Sequence, residues 1–252
     1  MKKIICITGA SSGFGKATAE LFAKNGHDLI ISARRIDRIN FLAEELSKKY
    51  NVKVLPIELD VRNQLAVKNA FFNLPENWKK IDVLINNAGL ASGLDKIQDG
   101  NIDDWDRMLD TNVKGLLYVS KEVIPLMIAR QKGHIINIGS TAGKEVYQKG
   151  NVYCASKYAV DALSKAMRID LLEYGIKVTQ IAPGGAETEF SEVRFHGDKE
   201  KAKAVYNGFQ PMSANDIAEI IYYTTTLSSH LCINDLVVTS VAQANNYYFH
   251  RE

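Results

Sequence analysis

Seven short apolar runs punctuate the chain, at residues 3–7, 28–32, 52–57, 81–85, 134–138, 176–181 and 231–238. Each is of strand length, and the stretches between them carry apolar residues at helical spacing, at 17–23, 37–50, 63–74, 103–130, 153–174 and 213–227. Strands that alternate with helices predict a parallel sheet covered on both faces, and right-handed crossovers make it doubly wound. The first unit is a strand, the glycine-rich turn Thr8-Gly-Ala-Ser-Ser-Gly-Phe-Gly15, a helix closed by Gly26 and a second strand, which is the size of a βαβ motif. No linker, repeat or low-complexity run divides the chain, so residues 1–252 are expected to form one domain. One irregular segment, 184–212, mixes charge with Phe190, Phe195, Tyr206 and Phe209. It leaves the sixth strand at a carboxyl end, where ligands of such sheets bind, and is therefore a candidate substrate lid.

Composition narrows the picture. A chain of 252 residues that is 46% hydrophobic can bury a full core. Lys and Arg number 31 against 29 Asp and Glu, a net charge of +2 with no basic block, which argues against a nucleic-acid partner. The N-terminal apolar run is too short for a signal segment or a membrane span, so a cytoplasmic protein is expected. The three cysteines, Cys6, Cys154 and Cys232, fit neither a disulfide framework nor a zinc site and read as packing residues, with Cys154, beside Tyr153, the thiol to test for modification. The five histidines have no metal-ligand spacing. The aromatic stretch 245–250 reads as a subunit contact or as packing onto its own domain.

Candidate chemistry begins at the glycine turn. Gly9, Gly13 and Gly15 follow a strand and open a helix, so the loop with Ser11, Ser12 and Phe14 can offer backbone N–H groups to a pyrophosphate; the other reading is a tight turn. Twenty residues after Gly13, where an NAD enzyme places an acid for the ribose hydroxyl, stand Ala33, Arg34 and Arg35. A guanidinium holds a 2′-phosphate in bidentate fashion, so NADP is favoured over NAD, against the alternative of two solvated arginines opening a loop. Asp60-Val61 and Asn86-Asn87-Ala88-Gly89 end the third and fourth strands and suit a groove for adenine and ribose, although Asn and Gly are also ordinary turn residues.

Tyr153 and Lys157 lie four apart in a helical pattern and so share one face. A fixed cation beside a phenol favours the phenolate and lowers a pKa of about 10, which would make Tyr153 a general acid/base; the alternative is a Tyr and a Lys that merely share a surface. Arg194, within 184–212, can fork onto a substrate carboxylate or be solvated, and Tyr147 can border the substrate or pack.

Taken in order, Thr8-Gly9-x3-Gly13-x-Gly15, Asn86-Asn-Ala-Gly89, Asn112, Ser140 and Tyr153-x3-Lys157 resemble the classical short-chain dehydrogenase/reductase family nearly end to end. In the carboxyl third, Pro183-Gly184, Thr188-Glu-Phe-Ser191, Val193-Arg-Phe195 and Gly197-Asp198 are similar to the NADP-dependent 3-hydroxy acid dehydrogenases that oxidise serine, L-allo-threonine and 3-hydroxypropionate-like acids. Gly185-Ala186 departs from the leucine and valine usual there. The resemblance implies a Rossmann fold with strand order 3-2-1-4-5-6-7 and a homotetramer or dimer. It also implies that Tyr153 moves the proton, Lys157 holds the nicotinamide ribose, Ser140 bonds the carbonyl oxygen, Asn112 anchors a relay water, and Thr188 reaches the nicotinamide amide beside Pro183-Gly184. The function implied is NADP-linked interconversion of a short 3-hydroxy acid and its 3-oxo acid. The rivals are a reductase of 3-oxoacyl thioesters, sugars or other carbonyls, and a non-catalytic NADP-sensing protein on the same fold.

Overall fold

A computed structural model describes residues 2–252. In chain order the elements are β1 (Ile4–Thr8), α1 (Gly13–Lys24), β2 (Asp28–Ala33), α2 (Ile36–Tyr50), β3 (Val54–Glu58), α3 (Gln64–Phe72) and β4 (Val83–Asn86). They continue with α4 (Ile102–Leu109), a π-helical turn (Asp110–Gly115), α5 (Leu116–Ile128), β5 (Gly133–Ile138), α6 (Asn151–Asp170) and β6 (Ile176–Pro183). The last are α7 (Glu189–Arg194), α8 (Lys199–Ala204), α9 (Ala214–Thr226) and β7 (Asp235–Val238). The strands form one parallel sheet in the order β3-β2-β1-β4-β5-β6-β7, the expected Rossmann arrangement.

Strand periodicity sorts the core into two layers. Ile5, Ile7, Leu29, Ile31, Val83, Ile85, Ile136 and Ile138 point to the side of α1, α2 and α9, with Phe22, Ile39, Leu46, Ile217 and Ile221. Cys6, Ile30, Leu84, Ile135 and Val178 point to the opposite side, against α3, α5 and α6 through Val67, Val119, Val123, Met127 and Val160. Strands buried on both faces explain the unbroken apolar runs of the sequence.

Three expectations shift. The single helix at 103–130 is α4 and α5 joined through the π-helical turn. The last strand begins at Asp235 rather than 231, because residues 231–234 are mostly exposed and make no ladder. Cys232 is exposed, whereas Cys6 and Cys154 are buried. Burial raises the Cys154 thiol above its ordinary range, which removes the chemical reason to single it out for modification. Among the described residues no helix is long and apolar enough to cross a membrane.

His134 on β5 is buried, with Nε2 2.8 Å from the Thr179 hydroxyl. Burial first, then the charges of Lys177 and Lys3, push its pKa from 6.5 down to about 3. An unfolded chain therefore binds about one proton more than the native one between those values, and native stability falls as pH drops through that window. His134→Gln is expected to flatten this loss, measured as the slope of Tm against pH from 7 to 4; an unchanged slope would place the acid sensitivity elsewhere.

Candidate active site

The carboxyl ends of the strands and the segment 184–212 enclose a cavity of about 450 Å³. Its near end is the glycine loop. Gly9 and Gly13 have φ of +69° and +51°, the left-handed region that glycine enters at no steric cost. A Cβ on Gly15 would stand 2.4 Å from the Gly9 carbonyl oxygen and 2.5 Å from Asn87 Nδ2, so only glycine lets the start of α1 pack this closely under the loop. The loop is tied to β4: Thr8 Oγ1 accepts from the N–H groups of Asn87 (3.1 Å) and Ala88 (3.0 Å), and Asn87 Nδ2 donates to the carbonyls of Thr8 and Gly9.

Gly9, Ser11, Ser12, Gly13, Phe14, Arg34, Arg35, Asp60, Val61, Asn87, Ala88, Gly89, Pro183, Gly184 and Thr188 all line the cavity. Gly15 lies behind the loop instead. The two arginines differ. Arg35 donates to Ser11 Oγ (3.1 and 2.9 Å), Ser12 Oγ (2.9 Å) and Glu189 Oε2 (2.9 Å). Arg34 has no hydrogen-bond or ion-pair partner among the described residues. Asp60 is bonded by Arg62, which holds its carboxyl below the usual range.

Toward the far end stand Ser140, Tyr147, Tyr153, Lys157 and Arg194. Ser140 follows β5; its Oγ accepts from the Ala142 N–H (3.1 Å) and donates to the Pro183 carbonyl (3.4 Å). Tyr153 and Lys157, on the first turns of α6, are both buried, and Lys157 Nζ lies 5.9 Å from the Tyr153 ring centre. Burial is the largest influence on each. It pushes Lys157 down to about 8. It drives the Tyr153 phenol well above its ordinary value; Tyr147 adds to the rise, while Arg194 and the Ser140 hydroxyl pull it back. The sequence assigned the lowering to Lys157. In the protein alone the ammonium is turned to the Ile138 carbonyl (2.8 Å), and Arg194 supplies the cation facing the phenol.

Asn112 sits in the π-helical turn and outside the cavity lining. Its side-chain amide clasps Leu90 in both directions, Oδ1 accepting from the N–H and Nδ2 donating to the carbonyl, each at 2.8 Å, and Nδ2 also reaches Ser156 Oγ (3.0 Å). The side-chain amide is thus engaged with the wall of the site.

Arg194 ends α7 with its guanidinium among three rings: 5.0 Å from the centre of Tyr153, 5.6 Å from Phe190 and 5.7 Å from Tyr147. Its Nη2 donates to the Tyr147 hydroxyl, while Nε is buried with no partner among the described residues. A buried, unpaired guanidinium N–H costs free energy until an acceptor arrives, which marks this end of the cavity as suited to an anion.

Sequence reasoning missed the C-terminal contribution. Gln243, Asn246 and Phe249 line the cavity. Gln243 Oε1 accepts from the Gly185 N–H (2.7 Å), and a Cβ on Gly184 would stand 2.2 Å from that oxygen, so the glycine at 184 makes room for a side chain nearly sixty positions away. A Cβ on Gly185 would stand 3.6 Å from the same oxygen, an ordinary contact, so the departure at that position has no comparable structural reason. Asn246 bonds Thr141 and Glu145, and Phe249 packs 5.1 Å from Phe209, so this stretch docks on its own domain while Tyr247 and Tyr248 stay exposed. The aromatic excess at 245–250 was the one signal available.

Comparison with known proteins agrees with this geometry. Residues 3–199 match the model of the short chain dehydrogenase family. The chain is 44% identical over 242 residues to the NADP-dependent 3-hydroxy acid dehydrogenase of Salmonella typhi, covering 96% of each. It is 44% identical over 245 residues to sulfoacetaldehyde reductase 2 of Chromohalobacter salexigens, covering 97% of this chain and 96% of the other. Among solved structures, the closed form of serine dehydrogenase complexed with NADP+ superposes with a TM-score of 0.92 at 41% identity, over 99% of this chain and all of the other (100%). With the glycine turn, the Ser140, Tyr153 and Lys157 set and the seven-stranded sheet in place, the chain belongs to the short-chain dehydrogenase family.

Proposed function

We propose that the protein is an NADP-dependent oxidoreductase that interconverts a short 3-hydroxy acid, of the serine, L-allo-threonine or 3-hydroxypropionate type, with its 3-oxo acid. The observation that carries this reading is Arg194, whose unpartnered Nε and aromatic frame stand beside Tyr153 in the cavity that the glycine loop opens. A substrate carboxylate on that guanidinium would set a hydroxyl or carbonyl three carbons along near Tyr153 and Ser140.

The donor set fits the cofactor. The N–H groups at the start of α1 suit the pyrophosphate, Arg34 is free for the 2′-phosphate, and Lys157, Thr188 and the Pro183-Gly184 segment stand at the nicotinamide end. NADP, when bound, supplies or accepts the hydride. The protein supplies the proton and the field. Its high pKa keeps Tyr153 protonated at neutral pH, so the phenol is ready to donate to a carbonyl oxygen during reduction while the Ser140 hydroxyl offers a second hydrogen bond. In oxidation the phenol must first lose its proton, so that direction gains as pH rises. The guanidinium of Arg194 and the Ser140 hydroxyl stabilise the phenolate in either direction. Asn112 acts as a positioning residue through Leu90, which lies beside Gly89 in the cavity wall.

A second reading is favoured by the sulfoacetaldehyde reductase relative: an anion-bearing aldehyde with a sulfonate in place of the carboxylate. Arg194 suits both. The apolar side chains left exposed on α5 and α6, Leu117, Tyr158 and Ile169, support the expected homotetramer or dimer; a monomer by light scattering would remove that expectation.

Tyr153→Phe is expected to lower turnover at least about a hundred-fold while NADPH binding, read by fluorescence titration, stays near wild type. A near-normal rate would reject Tyr153 as the acid/base, whereas a wild type that binds NADPH but turns over no member of the substrate panel would reopen the sensing-protein alternative. Arg194→Met should raise KM about ten- to a hundred-fold for L-serine, 3-hydroxypropionate and sulfoacetaldehyde and leave simple secondary alcohols little changed, as expected for loss of a charged hydrogen bond. Equal effects on charged and neutral substrates in a steady-state panel would refute anion capture by Arg194. The same panel on the wild type, by comparing the carboxylates with the sulfonate, separates the two readings.

A further inference from the structure

The adjacent arginines after β2 are bound very differently, and the difference points to a residue of the cofactor site outside the expected set. Arg35 has its fork filled by the chain itself: Nε and Nη2 on Ser11, Nη2 also on Ser12, and Nη1 on Glu189. Glu189 is the first residue of α7 and receives a second arginine, Arg38 Nη1, at 2.7 Å on its other carboxylate oxygen. Burial would raise this carboxyl, but the bonds from Arg35 and Arg38 outweigh it and hold it below its usual range, so it is charged at neutral pH. The preceding Thr188 lies against the glycine loop, within 3.5 Å of where a Gly13 Cβ would stand. One carboxylate thus ties the start of the 184–212 segment to the loop that opens the cavity and to α2, while Arg34 lines the cavity without a partner.

We infer that Glu189, gripped by Arg35 and Arg38, is a latch that holds the lid across the cofactor cleft and slows cofactor release, and that Arg34 alone reads the 2′-phosphate. The inference rests on the reading of the cavity as an NADP site. A latch made between protein groups is blind to the 2′-phosphate, so its loss must weaken NADPH and NADH alike. A phosphate receptor distinguishes them. Repulsion between Glu189 and a 2′-phosphate would do the opposite of a latch and favour NADPH when removed.

The test measures Kd and dissociation rate for NADPH and NADH by fluorescence, without turnover. Glu189→Gln is expected to raise both Kd values by the same factor, about two- to five-fold for a half-exposed ion-pair network, through faster dissociation. Arg38→Gln should do the same to a smaller extent. Arg35→Gln should shift both Kd values in the same direction, and the Arg35→Gln/Glu189→Gln double variant should lose less than the sum of the two single ones, since they share the Arg35–Glu189 contact. Arg34→Gln should weaken NADPH about ten-fold or more and NADH little. Tighter NADPH binding in Glu189→Gln, a loss confined to NADPH, or no change with either nucleotide would each overturn the latch. A failure of Arg34→Gln to discriminate, with Glu189→Gln behaving as expected, would overturn the 2′-phosphate assignment and leave the latch standing. If neither dinucleotide binds the wild type, the cofactor reading itself fails.

Discussion

The site depends on one buried ammonium. Lys157 is almost wholly enclosed, donates to the Ile138 carbonyl at the end of β5, and carries a pKa pressed down to about 8 by the loss of water. That hydrogen bond joins α6 to the central strands and fixes the rotation of the helix. Tyr153, one turn earlier, is thereby aimed into the cavity, and Gly143 must be small because a Cβ there would meet the Lys157 carbonyl. A charge buried at this depth is tolerated because Nζ keeps a backbone carbonyl partner and borders the cavity.

Charge is distributed along the cleft in one sense. Arg34 and Arg35 mark one end, Lys157 the middle and Arg194 the other, whereas the nearest carboxylates, Asp60 and Glu189, are each neutralised by arginines of their own. A chain of net charge +2 has thus concentrated cationic potential in one groove without becoming basic overall. Such a groove suits a ligand with phosphates at one end and a small anion at the other. Burial raises the Tyr153 phenol, and Arg194 and the Ser140 hydroxyl offset part of that rise, so desolvation, charge and hydrogen bonding together set its acidity.

Much of this was legible in the sequence because the signals are local. Strand periodicity, the glycine turn and the Tyr153 to Lys157 spacing each lie within a dozen residues, and the structure brings Ser140, Tyr153 and Lys157 to one cavity together with Tyr147 and Arg194, whose sequence positions left packing or solvation open. What escaped depends on long-range contacts. Gln243 and Asn246 carry no motif, and only the return of the chain past β7 brings them to Gly185 and Thr141. The π-helical turn at Asn112 and the clasp of its side chain on Leu90 have no signature in helical spacing. Arg34 and Arg35 looked equivalent, since adjacent residues share composition and context; the partners that separate them, Ser11, Ser12 and Glu189, come from other parts of the chain.

The pairing of β1 with β4 carries a consequence for how the molecule comes into being. Ile5 lies opposite Val83, so the middle of the sheet joins segments separated by most of the first third of the chain. The same pairing sets Gly9 against Ala88, close enough that a Cβ on Gly9 would come within 2.9 Å of its Cα. Closing so large a loop is entropically costly and slows assembly. The groove between the two halves therefore takes shape only when the longest-range strand pairing of the sheet has been made.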